Sequence, residues 1–281
     1  MRIARFQGAD GADFAVSSDG GTWTALAPTG VVVHSTAELI ARMDEVRAAM
    51  TESTPQPIAE HRLLSPVHRP GKILAIGLNY VAHAAETRAE LPERPLIFAK
   101  YSSSLNGPFD DVVIGGTVTA EADYESELAV VIGRDAKRVS AADAMEHVFG
   151  YAVANDVSAR DHQRRDGQFS RSKSADGFCP IGPWITTADE VDDVRSLAVT
   201  STVNGEQRQR GVVSDLVFDI PTLIAYLSAT ITLEAGDVIL TGTPPGVGLG
   251  MTPPVFLADG DVVECTVERL GTIRNRFVDG G

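Results

Sequence analysis

The sequence predicts an α+β fold in which strands outnumber helices, and three observations support this. Residues 1 to about 57 combine short strand candidates with one helix, two apolar β-prone runs occupy the middle of the chain, and the last third is mostly strand-forming. Asn204-Gly205 is the strongest hairpin signal in the chain, because tight hairpin turns favour this dipeptide. It predicts a hairpin that pairs residues 197–203 with 207–213.

Residues 1–57 are predicted to form a small N-terminal α+β domain. Its strand candidates are 2–6, 14–16 and 22–26, with a turn at 19–21. Ser35 and Glu38 match a capping box that opens a helix reaching about Met50. Residues 51–57 are polar and contain two prolines, which is typical of a linker, so residues 58–281 are assigned to a larger second domain.

The larger domain begins with a buried-strand candidate that runs into a short helix. Asn79 is predicted to cap this helix, which extends to Glu86 and is favoured by its alanines. The other expected elements are strands at 72–76, 128–132, 151–154, 236–240, 262–269 and 272–278, and a helix at 221–228.

Composition excludes several classes of function. The 281 residues are 43% hydrophobic and 22% charged, as in an ordinary globular protein. A formal net charge of −14 and an isoelectric point near 4.8 argue against a nucleic-acid partner. The two cysteines, Cys179 and Cys265, form no CxxC pair, which favours a reducing compartment. Because neither a signal-peptide core nor a membrane-length apolar run is found, we expect a cytoplasmic protein without a membrane partner.

Acidic residues concentrate at one point of the predicted sheet. Glu125 and Glu127 lie two residues apart, a spacing that puts both carboxylates on one face of a strand, and Asp156 ends the next apolar run. Partly buried carboxylates repel each other unless they are protonated or bind a cation, and oxygen ligands suit Mg²⁺ or Mn²⁺. The sequence therefore predicts a metal site at these three residues. The alternative is a solvated edge strand, with Asp156 as a turn residue or helix cap.

His83 and Glu86 form the second candidate pair. At positions i and i+3 of the predicted helix they lie within side-chain reach, and a carboxylate on one imidazole nitrogen makes the other a better base. This spacing is also common in surface ion pairs. Residues 87–94 are polar and contain prolines, so they are expected to form a mobile segment over a site.

The remaining candidates would contact an anionic substrate. Arg160 and Gln163 follow the third carboxylate, and Lys173 would offset the negative charge that three carboxylates leave on a divalent ion. The alternatives are an exposed loop and a solvated lysine. The glycine-rich stretch 241–248 matches neither GxGxxG nor a Walker loop, which excludes nucleotide binding, although Gly242 and Thr243 could grip a carboxylate.

Together these motifs resemble the fumarylacetoacetate hydrolase superfamily. The resemblance covers about residues 63–279 and is specific for the family, but much less so for the reaction. The matching motifs are GLNY-x2-H-x2-E at 77–86, E-x-E-L at 125–128, ND-x-S-x-RD-x-Q at 155–163, the lysine before FCPIGPW at 173–184, and GD-x4-GTP-x-GVG at 236–248.

The resemblance implies a mixed β-roll with flanking helices, preceded by the small N-terminal domain, and usually a homodimer. It implies one Mg²⁺ or Mn²⁺ per subunit, bound by the residues matching Glu125, Glu127 and Asp156. Those matching His83 and Glu86 would form a catalytic dyad on a lid. Catalytic Lys173 and the substrate-binding residues would surround a small anionic 2-oxo acid. The bulkier residues that many relatives carry after the lysine are replaced here by residues 174–177, which leaves the substrate pocket open to question.

The expected chemistry follows from an enolate stabilised by the metal, which acts as a Lewis acid. We favour hydrolysis of a C–C bond in an acylpyruvate-like 2,4-dioxo acid, because a His-Glu dyad that activates water is more than decarboxylation requires. The alternatives within the family are isomerisation of 2-hydroxyhepta-2,4-diene-1,7-dioate, decarboxylation of its precursor in aromatic-acid breakdown, and oxaloacetate decarboxylation. A non-catalytic protein that binds a small acid is an alternative of another class, and it predicts loss of a ligand or of the dyad.

Overall fold

The protein is described by a computed structural model that covers residues 1–52 and 54–281. Ser53, in the predicted linker, lies outside the described residues. The strands are β1 (Arg2–Gly8), β2 (Gly11–Ser17), β3 (Thr24–Ala25), β4 (Leu63–Leu64), β5 (Ile73–Gly77), β6 (Leu96–Lys100), β7 (Leu105–Asn106), β8 (Val112–Ile114), β9 (Ala122–Asp123), β10 (Ser126–Ile132), β11 (Val148–Asn155), β12 (Ser158–Ala159), β13 (Cys179–Thr187), β14 (Ala198–Val203), β15 (Glu206–Val212), β16 (Val238–Leu240), β17 (Val262–Val267) and β18 (Gly271–Asp279). The helices are α1 (Thr36–Ala41), α2 (Met43–Glu52), α3 (Val81–Glu86), α4 (Arg160–Asp166), α5 (Phe169–Ser172) and α6 (Ile220–Ser228).

Two sheets form the body of the molecule. The larger has the order β3-β2-β1-β13-β11-β10-β16-β5-β6, with β4 beside β1 and β7 beside β13. The smaller has the order β15-β14-β17-β18-β8, and β9 and β12 form a separate ribbon. The fold is therefore mixed, with more strand than helix, which confirms the predicted fold class.

Strand β10 is the centre of the structure, because it is buried along its whole length between β11 and β16. Its alternate side chains enter two different cores. Leu128, Val130 and Ile132 belong to the core that includes the smaller sheet, whereas Ala129 and Val131 belong to the core under the N-terminal helices. A strand covered on both faces needs apolar residues at nearly every position, which explains its continuous apolar run.

The predicted hairpin is confirmed, whereas the prediction of one long N-terminal helix is wrong. Asn204 and Gly205 join β14 to β15 with φ of 53° and 81°, the positive values that this turn requires. Ser35 caps α1 by accepting from the Glu38 N–H at 3.1 Å, but that helix ends at Arg42 (φ −112°, ψ 26°) and α2 begins after it. The sequence between Ser35 and Met50 contains neither glycine nor proline, so it gave no local signal for this break.

The N-terminal strands are part of the larger sheet. Strand β1 pairs with β13 through Arg2 and Ile3, opposite Thr186 and Ile185. The larger sheet therefore contains strands from both sides of residue 57. The division into two domains at that point stays a prediction. Among the helices described, none is both long and apolar enough to cross a bilayer.

The predicted cap of α3 is wrong. Tyr80 occupies the N-cap position and makes no side-chain cap, while Asn79 is fully buried one residue earlier. The Asn79 amide donates to the carbonyls of Phe218 (3.0 Å) and Thr241 (2.7 Å) and accepts from the Phe218 N–H (2.8 Å). Because these partners lie far away in the chain, Asn79 fixes α3 against two distant loops instead of capping it.

Candidate active site

Three carboxylates meet where β10 begins and β11 ends. Glu125 directly precedes β10, Glu127 lies within it, and Asp156 directly follows β11, which pairs antiparallel with β10. The Asp156 N–H donates to the Glu125 carbonyl at 2.9 Å, and Asn155 Oδ1 accepts from the Glu125 N–H at 2.9 Å. All three side chains are buried, and one oxygen from each lies within 4.8 Å of the others. The structure thus brings together the three residues predicted as metal ligands.

Glu127 provides the test of whether a metal fits. Its Oε2 accepts from the Gly242 N–H at 2.7 Å, and its Oε1 accepts no hydrogen bond from the residues that the structure describes. Burial, together with the charges of Asp156 and Glu125, raises its pKa well above the usual range. A divalent cation would relieve this repulsion, and an all-oxygen donor set suits Mg²⁺ or Mn²⁺. The three carboxylates therefore fit such an ion.

Buried cations surround the carboxylates. Lys173 Nζ lies 2.7 Å from both Glu125 Oε2 and Asp156 Oδ2, and Lys100 Nζ lies 2.6 Å from Asp156 Oδ1. Arg160 donates to Glu125 Oε1 at 2.6 Å and to Asp123 Oδ2 at 2.8 Å. Burial alone would raise the pKa of Glu125, but Lys173 and Arg160 outweigh it and hold the pKa at about 2.

The charges of this cluster nearly cancel. Its members are Asp123, Glu125, Glu127 and Asp156 on one side and Lys100, Lys173 and Arg160 on the other. With all seven groups ionised the sum is four negative and three positive charges, or −1. A bound divalent ion would change this sum to +1, which favours an anionic substrate. Lys173 was expected to offset the charge of the site, and it does so through direct contact with two of the carboxylates.

The His-Glu pair lies beside this cluster. His83, which is 6% exposed, places Nδ1 at 2.8 Å from Glu86 Oε1. The other oxygen of Glu86 accepts from the Gly246 N–H at 2.8 Å, so the carboxylate is fixed at both ends. Gly246 has a φ of 110°, and a Cβ at this position would collide with the Arg208 carbonyl, so only glycine fits. The pair is therefore part of the site and not a surface ion pair.

A cavity of about 180 Å³ joins these groups. His83, Glu125 and Lys173 line it, and so do Thr87 and Ala89 from the segment predicted to lie over a site. The remaining lining residues are the polar Arg160, Gln163 and Thr243, the apolar Ile76, Leu78, Phe98, Phe169 and Leu249, and Gly77. A larger cavity of about 670 Å³ contains none of these residues, so the smaller one is the candidate active site.

The predicted substrate-binding residues differ in what they contact. Gln163 and Thr243 line the cavity, but the Thr243 hydroxyl also donates to the Ser126 carbonyl at 2.9 Å. Arg160 lines the cavity with its guanidinium already paired to protein groups. The Gly242 N–H binds Glu127, so this residue positions a carboxylate. Direct substrate binding by these four residues stays a prediction.

Two members of the charge cluster were missed from the sequence. Lys100 ends β6, a strand that was not predicted, and it reaches Asp156 only because β6 pairs with β5 in the sheet. Asp123 precedes Glu125 by two residues, so the spacing that identified the glutamates could have identified it as well. It accepts from the Gly248 and Leu249 N–H groups at 2.7 and 3.0 Å, and so holds the glycine-rich loop against Arg160.

Substituting Lys100 by methionine is expected to lower the free energy of unfolding by on the order of 3 kcal/mol, because it breaks a buried ion pair. Lys100 is 3% exposed and its ammonium donates to both Asp156 and the Lys173 carbonyl. Denaturant unfolding without added metal measures the change. Lys137→Met is the control, since Lys137 is exposed and makes no ion pair with a described residue. Equal stabilities of the two variants would contradict the structural role of Lys100.

Comparison with known proteins agrees with this geometry. Residues 72–278 match the family described as fumarylacetoacetate (FAA) hydrolase C-terminal. The mitochondrial oxaloacetate tautomerase FAHD2A of Homo sapiens is 47% identical over 241 residues, which cover 85% of this chain and 76% of the relative.

Two solved structures match over the full length of both chains. Maleylpyruvate hydrolase from Sphingobium sp. SYK-6, in complex with manganese(II) and pyruvate, has a TM-score of 0.83 and 36% identity. The 5-carboxymethyl-2-hydroxymuconate delta-isomerase from Mycobacterium smegmatis has a TM-score of 0.79 and 37% identity. These matches confirm the family that the motifs indicated. The chain therefore belongs to the fumarylacetoacetate hydrolase family of enzymes.

Proposed function

We propose that the protein is a metal-dependent enzyme that interconverts the keto and enol forms of a small 2-oxo acid such as oxaloacetate. The observation that carries this proposal is a small cavity lined by a base, His83, by a cation, Lys173, and by Glu125, one of the three clustered carboxylates. At about 180 Å³ the cavity is smaller than the roughly 300–1,000 Å³ typical of sites for drug-sized ligands. It therefore suits a short acid. The similarity to an oxaloacetate tautomerase supports the same substrate class.

Glu125, Glu127 and Asp156 would hold the metal. When bound, a divalent cation there supplies Lewis-acid stabilisation of negative charge on a carbonyl oxygen. Lys173 adds a second positive charge, because Asp156 and Glu125 outweigh the effect of burial and raise its pKa above the usual value. Its ammonium attracts the carboxylate of a substrate as well as developing enolate charge.

His83 is the proposed base. An ionised Glu86 can only accept a hydrogen bond, so Nδ1 of the neutral ring carries the proton and Nε2 is left free to accept one. In the proposed reaction Nε2 removes a proton from the carbon beside the keto group. The electron pair of that C–H bond forms the C=C bond, and the carbonyl π pair moves onto oxygen. The proton held by Nε2 then passes to that oxygen, which frees the base and completes the enol, and the reverse sequence gives the keto form.

Hydrolysis of a C–C bond is the second candidate. It is favoured by the complete dyad and by the similarity to maleylpyruvate hydrolase. In that reaction His83 would take a proton from water, and the water would attack the distal carbonyl of an acylpyruvate. Isomerisation of dienoates and decarboxylation need the same site. A non-catalytic binding role is disfavoured, because neither the carboxylates nor the dyad is missing.

The cellular setting is also part of this proposal. A homodimer in the cytoplasm with one Mg²⁺ or Mn²⁺ per subunit is expected from the sequence, with aromatic-acid breakdown as the pathway of the isomerase alternative. The relatives include a mitochondrial protein, so the cytoplasmic compartment stays a prediction. Sedimentation velocity and metal analysis of the purified protein would test the dimer and the stoichiometry.

The reactions are separated by spectroscopy with two substrates. With Mg²⁺ or Mn²⁺ present, we expect the enzyme to speed the decay of the ultraviolet band of enol oxaloacetate much more than it speeds the release of pyruvate. Acetylpyruvate provides the comparison, since its cleavage yields acetate and pyruvate. Rapid pyruvate release from acetylpyruvate, without faster tautomerisation of oxaloacetate, would replace the first candidate with the second.

A further inference from the structure

A group of unpaired cations lies outside the active site, where the N-terminal strands meet the loop that precedes β5. Arg5, on β1, and Arg69 both line a cavity of about 600 Å³ together with His68. The same three residues line an adjoining cavity of about 110 Å³, to which His34 also contributes. Within residues 1–52 and 54–281, neither guanidinium makes a salt bridge or a side-chain hydrogen bond. The cations therefore face open space together.

This arrangement is unusual for a chain with 38 acidic and only 24 basic residues. Burial and the neighbouring Arg69 lower the pKa of Arg5, and burial and both arginines lower the pKa of His68, so like charges repel here. One acidic side chain, Asp110, also lines the larger cavity, but it accepts from the Gly107 N–H and forms no ion pair with a described residue. Two guanidinium groups and one carboxylate thus line the larger cavity, which leaves it a net positive charge.

A buried hydroxyl gives the second, independent observation. Ser65 lines the larger cavity and is 7% exposed, and its Oγ is buried without a hydrogen-bond partner among the described residues. Buried polar atoms are nearly always satisfied, so this hydroxyl is a donor without an acceptor in a residue of the cavity wall. Ser102 and Ser103 line the same cavity and add further donors. Two guanidinium groups and several hydroxyls together are the donors that oxyanions prefer.

We propose that this cavity, defined by Arg5, Ser65, His68 and Arg69, binds a small dianionic oxyanion, either inorganic phosphate or the phosphate group of a metabolite. Its volume exceeds that of a bare ion, which leaves room for the rest of an ester. The site goes beyond the proposed reaction, and it joins the N-terminal unit to the catalytic region. The His68 N–H donates to Thr36 Oγ1 at 2.7 Å at the start of α1, and residue 70 leads into β5 of the active site.

Isothermal titration with inorganic phosphate and with glycerol 3-phosphate tests this proposal, with sodium chloride holding the ionic strength constant. Saturable binding is expected for phosphate. A higher affinity for glycerol 3-phosphate than for phosphate would show that the remainder of the cavity contacts the ester. Arg5→Gln and Arg69→Gln should each weaken binding roughly tenfold or more, because each removes a charge-assisted hydrogen bond. Arg69 is exposed, so its variant keeps the fold even if Arg5→Gln does not.

Arg210→Gln is the matched control, since Arg210 is an exposed arginine on β15 without an ion pair to a described residue. Its phosphate affinity should stay within about twofold of the wild type. Binding at the active site would survive both Arg5→Gln and Arg69→Gln, so their loss of affinity separates the two sites. The proposal is overturned by an absence of saturable binding, by an equal loss in Arg210→Gln, or by variants that change the oligomeric state and leave phosphate affinity intact.

Discussion

Glu127→Gln is expected to lower turnover by at least about 10²-fold while leaving the fold intact, because it removes one of three carboxylate ligands from an electrostatic site. The substitution is nearly isosteric, and the carbonyl of glutamine can still accept from the Gly242 N–H. Glu127 pairs with none of the described lysines or arginines, so no buried cation loses its partner. Asp156→Ala would be a less specific test, since it leaves Lys100 and Lys173 buried with fewer anions.

In the metal-free protein, Glu127→Gln is expected to keep or raise the stability of the fold, although it lowers turnover. Because burial, Asp156 and Glu125 raise the pKa of Glu127 in the folded protein, its ionisation opposes folding. This penalty is absent at pH values below the pKa of the unfolded chain, and it grows as pH rises towards the folded pKa. At neutral pH, metal-free Glu127→Gln should therefore be at least as stable as the wild type. Mn²⁺ should raise the melting temperature of the wild type and have little effect on the variant.

Metal content, activity and thermal unfolding measured on one preparation test both expectations. Glu264→Gln is the control, since Glu264 lies on β17 outside the site and bonds Thr202 at 3.1 Å. It should keep metal, activity and the stabilisation by Mn²⁺. Full activity of Glu127→Gln, or activity of the wild type that survives exhaustive chelation, would contradict the assignment of the metal site.

The acidic part of the site could be predicted because it follows local rules. The spacing of Glu125 and Glu127 depends only on strand geometry, and Asp156 lies at the end of the next apolar run along the sequence, which became the neighbouring strand. His83 and Glu86 are likewise within reach through the periodicity of one helix turn. In each case the relevant residues are close in sequence or on consecutive strands of the larger sheet.

The parts that were missed depend on long-range contacts or on backbone groups. Lys100 reaches Asp156 through the pairing of β5 with β6. The Asn79 side chain bonds Phe218, which is 139 positions away in the chain. Gly242 contributes an N–H group, which every residue except proline possesses, so residue type carried little information about its role. The break at Arg42 involves no helix-breaking residue, so residue type gave no signal for it.

His83→Ala is expected to have the other large effect, and the effect should depend on the reaction measured. Losing a general base typically costs about 10²–10⁴-fold. Tautomerisation of oxaloacetate and cleavage of an acylpyruvate both need a proton removed, from carbon or from water respectively, so both should fall by this amount. Decarboxylation of oxaloacetate needs mainly a stabilised enolate, which the cations of the site still supply. Its loss should be much smaller.

Glu86→Gln separates the role of the imidazole from its orientation. Glu86 accepts from both His83 Nδ1 and the Gly246 N–H, and a glutamine has only one accepting oxygen for these two donors. If that oxygen stays on the Gly246 N–H, the glutamine NH₂ group faces Nδ1 and can only donate, which places the ring proton on Nε2. We therefore expect a decrease in the same two reactions that does not exceed the decrease for His83→Ala. His147→Ala is the control, because this histidine bonds the Arg134 carbonyl away from the cavity.

The ratio of the losses decides what His83 does. Stopped-flow ultraviolet measurements give tautomerisation, and a coupled pyruvate assay gives cleavage and decarboxylation on the same samples. A base acting on the substrate predicts that the first two rates fall together and decarboxylation falls much less. Equal losses in all three reactions would instead mean that His83 orders the cavity through Glu86 and the glycine-rich loop, since all three reactions require an ordered site. The assignment of His83 as the proton acceptor would then be wrong, while the assignment of the carboxylates would stand.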